Sequence, residues 1–189
     1  DGQIQGVLPL AEIKSRLFGH SLGAMPFCVY GGVAALDDGA RLLLDEAADK
    51  LARELKVGHL EYRGMQRAHP GDDSWHTKEL YVTFRKEISN DDEANLNAIP
   101  RKQRAMVRKG IKLGLKGVVE DNVDRMFEAY ANSVLRLGTP VFPKKYFAKL
   151  QQVFGKECEV RSIYTSDDRL VASVLSFYWR DEVVPYYGG

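Results

Sequence analysis

The residues best suited to chemistry in this chain are cations. Arg101, Lys102, Arg104, Arg108, Lys109, Lys112 and Lys116 fall in one short stretch, and no acid stands between Ala94 and Val119. On a helix turning by about 100° per residue, Arg101, Arg104, Arg108 and Lys112 share one face, and Ile99, Met106 and Leu113 share roughly the opposite one. Like charges four residues apart destabilise a helix by about 0.2–0.5 kcal/mol per pair. Local stability therefore does not select such a ridge, whereas an anionic partner offsets the repulsion. The spacing predicts a helix over 100–115 that docks by its apolar stripe and turns the cations outward. That face either binds phosphate, of RNA or of a nucleotide-linked precursor, or is a solvated basic face helped by the nearby acids Asp91, Asp92 and Glu93.

Other chemistries leave fainter traces. His20, His59, His69 and His76 are scattered, with no pair at ligand spacing, so no metal is expected. Cys28 and Cys158 make neither a disulfide framework nor a zinc pair, and Cys28, in an apolar run, reads as a small buried hydrophobe. There is no nucleophile elbow of the GxSxG kind. Arg16-Leu17-Phe18-Gly19-His20-Ser21 partly matches the pyrophosphate loop of acyl-CoA enzymes, but its Ser departs from the pattern, and Met25-Pro26 argues against the helix such a loop should open. Trp75 and Trp179 read as core residues in preference to ligand platforms.

The elements that must position these groups follow from composition and periodicity. The chain has 189 residues, 44% hydrophobic and 28% charged, with a net charge of +1. That is globular composition, and the near balance of charge leaves any attraction to nucleic acid or membrane to a local patch. No stretch approaches the roughly 20 apolar residues of a membrane helix, no secretory signal is visible, and two reduced cysteines fit a cytoplasmic setting. Asp1-Gly2 reads as a hairpin turn, and strands are expected over 2–14, 25–33, 60–63 and 80–85. A helix is expected over 37–56, where Leu44, Ala47, Ala48, Leu51 and Leu55 keep helical spacing. The acidic, turn-forming run Ser89–Glu93 marks a boundary between domains 1–90 and 91–189. Beyond it come the basic helix, helices over 121–137 and 143–154, and strands over 157–165, 169–180 and 182–187. Both ends look cut inside a sheet, so the chain reads as a piece of a longer protein.

The basic run Arg101–Lys109 with Gly114-Leu115, the segment Gly138-Thr139-Pro140-Val141-Phe142-Pro143-Lys144-Lys145-Tyr146-Phe147, then Asp168-Arg169-Leu170-Val171-Ala172-Ser173 and Tyr186-Tyr187-Gly188-Gly189 together resemble the FemAB family. The opening Gly6-Val7-Leu8-Pro9-Leu10 and Lys14–Gly19 are similar to its members associated with exosortase systems. The resemblance implies two partial domains of the GCN5-like N-acyltransferase fold, an α+β fold of mixed, mostly antiparallel sheets flanked by helices. The first would lack its opening strand and helices, and the second its end. It also implies aminoacyl or acyl transfer to an amine of a cell-envelope precursor, from aminoacyl-tRNA or another phosphate-bearing donor, in the cytoplasm or at the inner face of the membrane.

Under that resemblance Arg101, Lys102, Arg104, Arg108 and Lys109 hold the donor's phosphates. Tyr146 and Tyr187 stand where family members place precursor-pocket tyrosines and are the catalytic candidates, and Tyr30, Gly31, Arg63, Phe142 and Tyr186 line the pocket. No cofactor is implied. Two departures bear on the acceptor. Phe142 stands before Pro143 where muropeptide-binding members carry a cation, and Tyr30-Gly31-Gly32 lacks the basic residue expected there, for which Arg63 could substitute. The residues leave two other readings open: an acyl-CoA-dependent N-acyltransferase and a non-enzymatic RNA-binding module.

Overall fold

The computed structural model describes residues 2–65 and 67–189, which fall into two units, Asp1–Lys86 and Glu87–Gly189. Each mixes strand and helix, so the chain is α+β. The expected turn at Asp1-Gly2 includes Asp1, which lies outside the described residues.

In the first unit β1 (Gly6–Val7), β2 (Leu10–Ser15), β3 (Gly19–Ala24), β4 (Ala34–Ala35), α1 (Asp38–Leu55) and β5 (His59–Glu61) follow in order. The strands β1 and β4 pair with each other, and β2-β3-β5 form a sheet in which β2/β3 is antiparallel and β3/β5 parallel. The parallel pair requires a crossover, and α1 lies on it. Its ends are those the sequence signals. The Asp37 carboxylate accepts the Ala40 N–H at 2.8 Å, and Lys56 closes the helix in the left-handed region at φ 53°. One long strand over 2–14 does not form: Pro9, which has no N–H to donate, separates β1 from β2.

Three other expectations fail here. Residues 25–33 form no strand, because Met25 and Phe27 take φ of 49° and 68° and break the extended run. Cys28 is accordingly half-buried rather than buried in a sheet. Leu80, Val82 and Phe84 alternate as a strand should, yet no described strand pairs with them, and Phe84 is 92% exposed. An alternating segment without a hydrogen-bonding neighbour has no strand to belong to. Conversely β3, poor in large apolar residues, forms because β2 and β5 satisfy it on both sides.

The second unit contains α2 (Asp92–Asn97), α3 (Arg101–Lys112), β6 (Lys116–Glu120), α4 (Asp124–Arg136), α5 (Lys144–Phe154), β7 (Cys158–Tyr164), β8 (Leu170–Trp179) and β9 (Glu182–Gly188). The four strands form one antiparallel sheet in the order β6-β7-β8-β9. The acidic run is not only a turn: the Asp91 carboxylate caps α2 through the Glu93 and Ala94 N–H groups. Strand β6, which the sequence reading passed over, runs antiparallel to β7 at the sheet edge.

Helix α4 packs on β8 and β9, and α5 packs on β7 and α4. Between helices and sheet lie Met126, Phe147, Val160 and Leu175, each fully buried, with Val123, Cys158 and Tyr187 around them. Burying side chains of this size contributes about 1.5–3 kcal/mol each. The polar pair inside this sheet is satisfied internally, Ser162 Oγ lying 2.9 Å from Ser173 Oγ. Trp179 departs from its expected core role. It sits 67% exposed at the end of β8, with the Arg180 guanidinium 5.6 Å from its ring centre.

Candidate functional site

Helix α3 begins after Pro100, whose fixed φ suits a helix start, and it carries no acid. Arg101, Arg104, Ala105, Arg108, Lys109 and Lys112 line an open hollow of about 480 Å³. Lys102, about 100° round the helix from Arg101, lies outside that lining. Among the described residues none of these cations pairs with a carboxylate.

Two guanidinium groups are instead anchored by neutral oxygens. Arg104 Nη1 donates to the Asn97 carbonyl at 2.8 Å and to Asn97 Oδ1 at 3.2 Å, and Arg108 Nη2 donates to the same Oδ1 at 3.5 Å. Asn97 closes α2, where the last helical carbonyls lack partners within their own helix. The anchor therefore orients both cations and leaves their charge uncancelled. Sequence reasoning missed Asn97, because nothing in its spacing marks it as a hub.

The apolar side of α3 departs from expectation. Met106 and Leu113 are 65% and 64% exposed, and no α3 residue is buried. The stripe Ile99-Met106-Leu113 supplies one contact per two turns. A docked helix presents three or four.

A second group of expected residues comes together on the sheet. Phe142, Tyr146, Tyr186 and Tyr187 form one aromatic cluster, with ring centres 4.9 Å apart for Phe142 and Tyr146 and 4.9 Å for Tyr186 and Tyr187. The Tyr146 and Tyr187 hydroxyls lie 3.0 Å apart. Both are placed by regular elements. Tyr187 ends β9 at 7% exposure, and Tyr146 lies in the first turn of α5, half-buried. Phe147 and Tyr130 meet the Tyr187 ring edge-on at 5.1 and 5.5 Å. Burial, and then the Tyr146 hydroxyl, push the Tyr187 phenol far above its ordinary range, so it stays protonated near neutral pH. Burial raises the Tyr130 phenol as well. Gly189 lies so close to α4 that a Cβ there would collide with the Ala129 carbonyl. The backbone beyond Tyr187 is thus held by the absence of a side chain.

The remaining expected residues lie in the first unit. Gly31 and Arg63 form an antiparallel bridge, with N···O distances of 2.7 and 2.5 Å. A Cβ on Gly31 would strike the Ala24 backbone. Arg63 Nε donates to Glu61 Oε1 at 2.7 Å, and Nη1 reaches the Cys28 carbonyl at 3.4 Å. A hollow of about 30 Å³, with Ser21, His59, Glu61 and Arg63 among its walls, opens here. Because Glu61 neutralises it, Arg63 does not supply the free positive charge expected of it. Tyr30 is 39% exposed beside Gly31.

The partial acyl-CoA loop falls on the turn between β2 and β3. Leu17 and Phe18 are 86% and 91% exposed there, and a strand follows rather than a helix. Such a turn lacks the helix N-terminus that gathers pyrophosphate. Among the described residues no three His, Cys, Asp or Glu side chains gather as a metal site, and no helix is long and apolar enough to cross a membrane. No family model and no curated protein matches the chain.

Proposed function

We propose that this chain is part of a FemAB-type N-acyltransferase of the GCN5-like fold. It moves an aminoacyl group from tRNA to an amine on a cell-envelope precursor, at the cytoplasmic side of the membrane. The observation that carries the reading is the α3 ridge, whose cations line one hollow and are anchored by Asn97 without losing their charge. A ridge of that kind suits a polyanionic donor.

The reaction is aminolysis of an ester. The amine nitrogen attacks the ester carbonyl carbon, a C–N bond forms, and the carbonyl oxygen becomes an oxyanion. The C–O bond to the ribose then breaks, and the proton lost by the amine passes to the departing ribose oxygen. An activated ester needs little beyond positioning, which can supply about 7–11 kcal/mol in the best cases, and donors aimed at the oxyanion. The phenol pair offers such a donor. The two hydroxyls are 3.0 Å apart, and with the buried Tyr187 as donor to Tyr146 Oη the Tyr146 proton is free to point toward the substrate. Its role is hydrogen bonding to the developing oxyanion.

Mass spectrometry of envelope precursors tests the proposal, comparing cells with the intact protein, cells without it, and cells carrying Tyr146→Phe. An aminoacylated or acylated precursor should be present in the first, absent in the second, and reduced on the order of 10²-fold in initial rate in the third. Identical precursor profiles in all three would end the proposal.

A further inference from the structure

The turn between β2 and β3 holds two large apolar side chains in water, side by side: Leu17 is 86% exposed and Phe18 91%. The hairpin itself fixes this display. The Ser15 hydroxyl accepts the Leu17 N–H at 3.2 Å and the Phe18 N–H at 3.3 Å, and Gly19 turns the chain back at φ 88°. Strand β5 pairs with β3 only from Ser21 to Gly23, with the Gly58 N–H donating to the His20 carbonyl at 2.8 Å beside that pairing. The tip, 15–19, lies beyond it and projects past the third strand of its sheet.

The charge around the pair is of one sign. Lys14 and Arg16 are exposed and, among the described residues, have no carboxylate partner. The single acid of segment 10–24 is Glu12, and its Oε1 lies 2.7 Å from His20 Nε2. The tip is thus apolar at its point and cationic at its base. Isolated exposed apolar residues are ordinary, but here a preset turn holds two of them forward between cations.

Shape selects what receives such a tip. A stable protein interface draws about 20–30 residues from each partner, which one protruding turn does not supply. A bilayer accepts a convex point without a matching surface, because its acyl chains move aside. Its anionic phosphates then lie at the level of the flanking cations, whose long side chains reach back to them. We infer that the β2–β3 turn is a wedge for an anionic membrane surface: Leu17 and Phe18 enter the acyl boundary, and Lys14 and Arg16 meet lipid phosphates. The wedge is independent of the transfer reaction and uses none of the α3 cations.

Co-sedimentation of the full chain with vesicles tests this, one set made of phosphatidylcholine alone and one of phosphatidylcholine with an equal part of phosphatidylglycerol. Leu17→Ser/Phe18→Ser changes exposed positions and leaves every charge in place. It should lower partition onto the mixed vesicles more than about tenfold, the least expected for losing one such burial. Lys14→Gln/Arg16→Gln should lower it about fivefold per cation removed, and omitting phosphatidylglycerol should lower it at least as much. Phe18→Trp in a Trp75→Phe/Trp179→Phe background should shift its emission to the blue on mixed vesicles and be quenched by brominated acyl chains. Equal binding by the serine variant and the unaltered chain would overturn the inference, the cations of α3 then accounting for it. Equal binding to both kinds of vesicle, or a tip indole that stays unquenched, would overturn it too. So would a change of oligomeric state caused by the serine pair in lipid-free solution, which would make a second copy of this chain the occupant.

Discussion

The phenol pair on the sheet gives an asymmetric expectation. Tyr187 is 7% exposed, whereas Tyr146 is only half-buried, and their hydroxyls meet at 3.0 Å. Tyr146→Phe leaves the Tyr187 hydroxyl buried with its partner gone, which costs about 1–3 kcal/mol. Tyr187→Phe leaves the Tyr146 hydroxyl able to turn to water, so only the net worth of one neutral hydrogen bond is lost, about 0.5–1.5 kcal/mol. The double variant removes both polar groups and should be less destabilised than the sum of the singles by about 0.5–1.5 kcal/mol. Urea unfolding followed by Trp179 emission in a Trp75→Phe background reads the unit that contains the pair. Single-variant costs that add within about 0.3 kcal/mol, or a larger cost at Tyr187 than at Tyr146, would refute the reasoning.

Other expectations follow from the same geometry. Phe147→Ala, which empties a fully buried position touching Tyr130, Tyr146 and Tyr187, should destabilise the second unit by about 3–5 kcal/mol in the same urea measurement. Gly31→Ala should lower the stability of the first unit by more than 1 kcal/mol, roughly, because the added Cβ meets backbone at Ala24 that cannot turn aside; Trp75 emission in a Trp179→Phe background reads it. Tyr62 and Tyr187 are raised in the folded chain above the ordinary phenol value. The stability they contribute is complete below about pH 10 and drains away as pH climbs through their folded values. An ultraviolet titration should place Tyr62 and Tyr187 among the tyrosines that ionise only together with alkaline unfolding, and Tyr62→Phe and Tyr187→Phe should each lower that late amplitude by one tyrosine.

Much of the second unit was legible in the sequence because its signals are local. Helices α4 and α5 and strands β7 to β9 lie where apolar spacing, Pro143, Gly138 and the turns at Asp168 and Arg180 put them. The capped ends of α1 were equally plain in Asp37 and Lys56. What escaped depends on partners distant in sequence. Strand β3 exists through its neighbours, and the alternation of Leu80, Val82 and Phe84 counts for nothing without one. At the site, the cationic face of α3 and the clustering of Phe142, Tyr146, Tyr186 and Tyr187 were within reach of periodicity and resemblance. Asn97 was not, since it and the cations it anchors lie on helices that carry no mark of one another.

The central claim is that the α3 ridge holds a phosphate-bearing donor. Filter binding of aminoacyl-tRNA across a salt series measures this for the unaltered chain and for Arg104→Glu/Arg108→Glu. The account expects weaker binding and a plot of log affinity against log salt that is shallower by roughly 1.4–1.8, about 0.7–0.9 for each lost phosphate contact. Equal affinity and equal slope in the two proteins would contradict it.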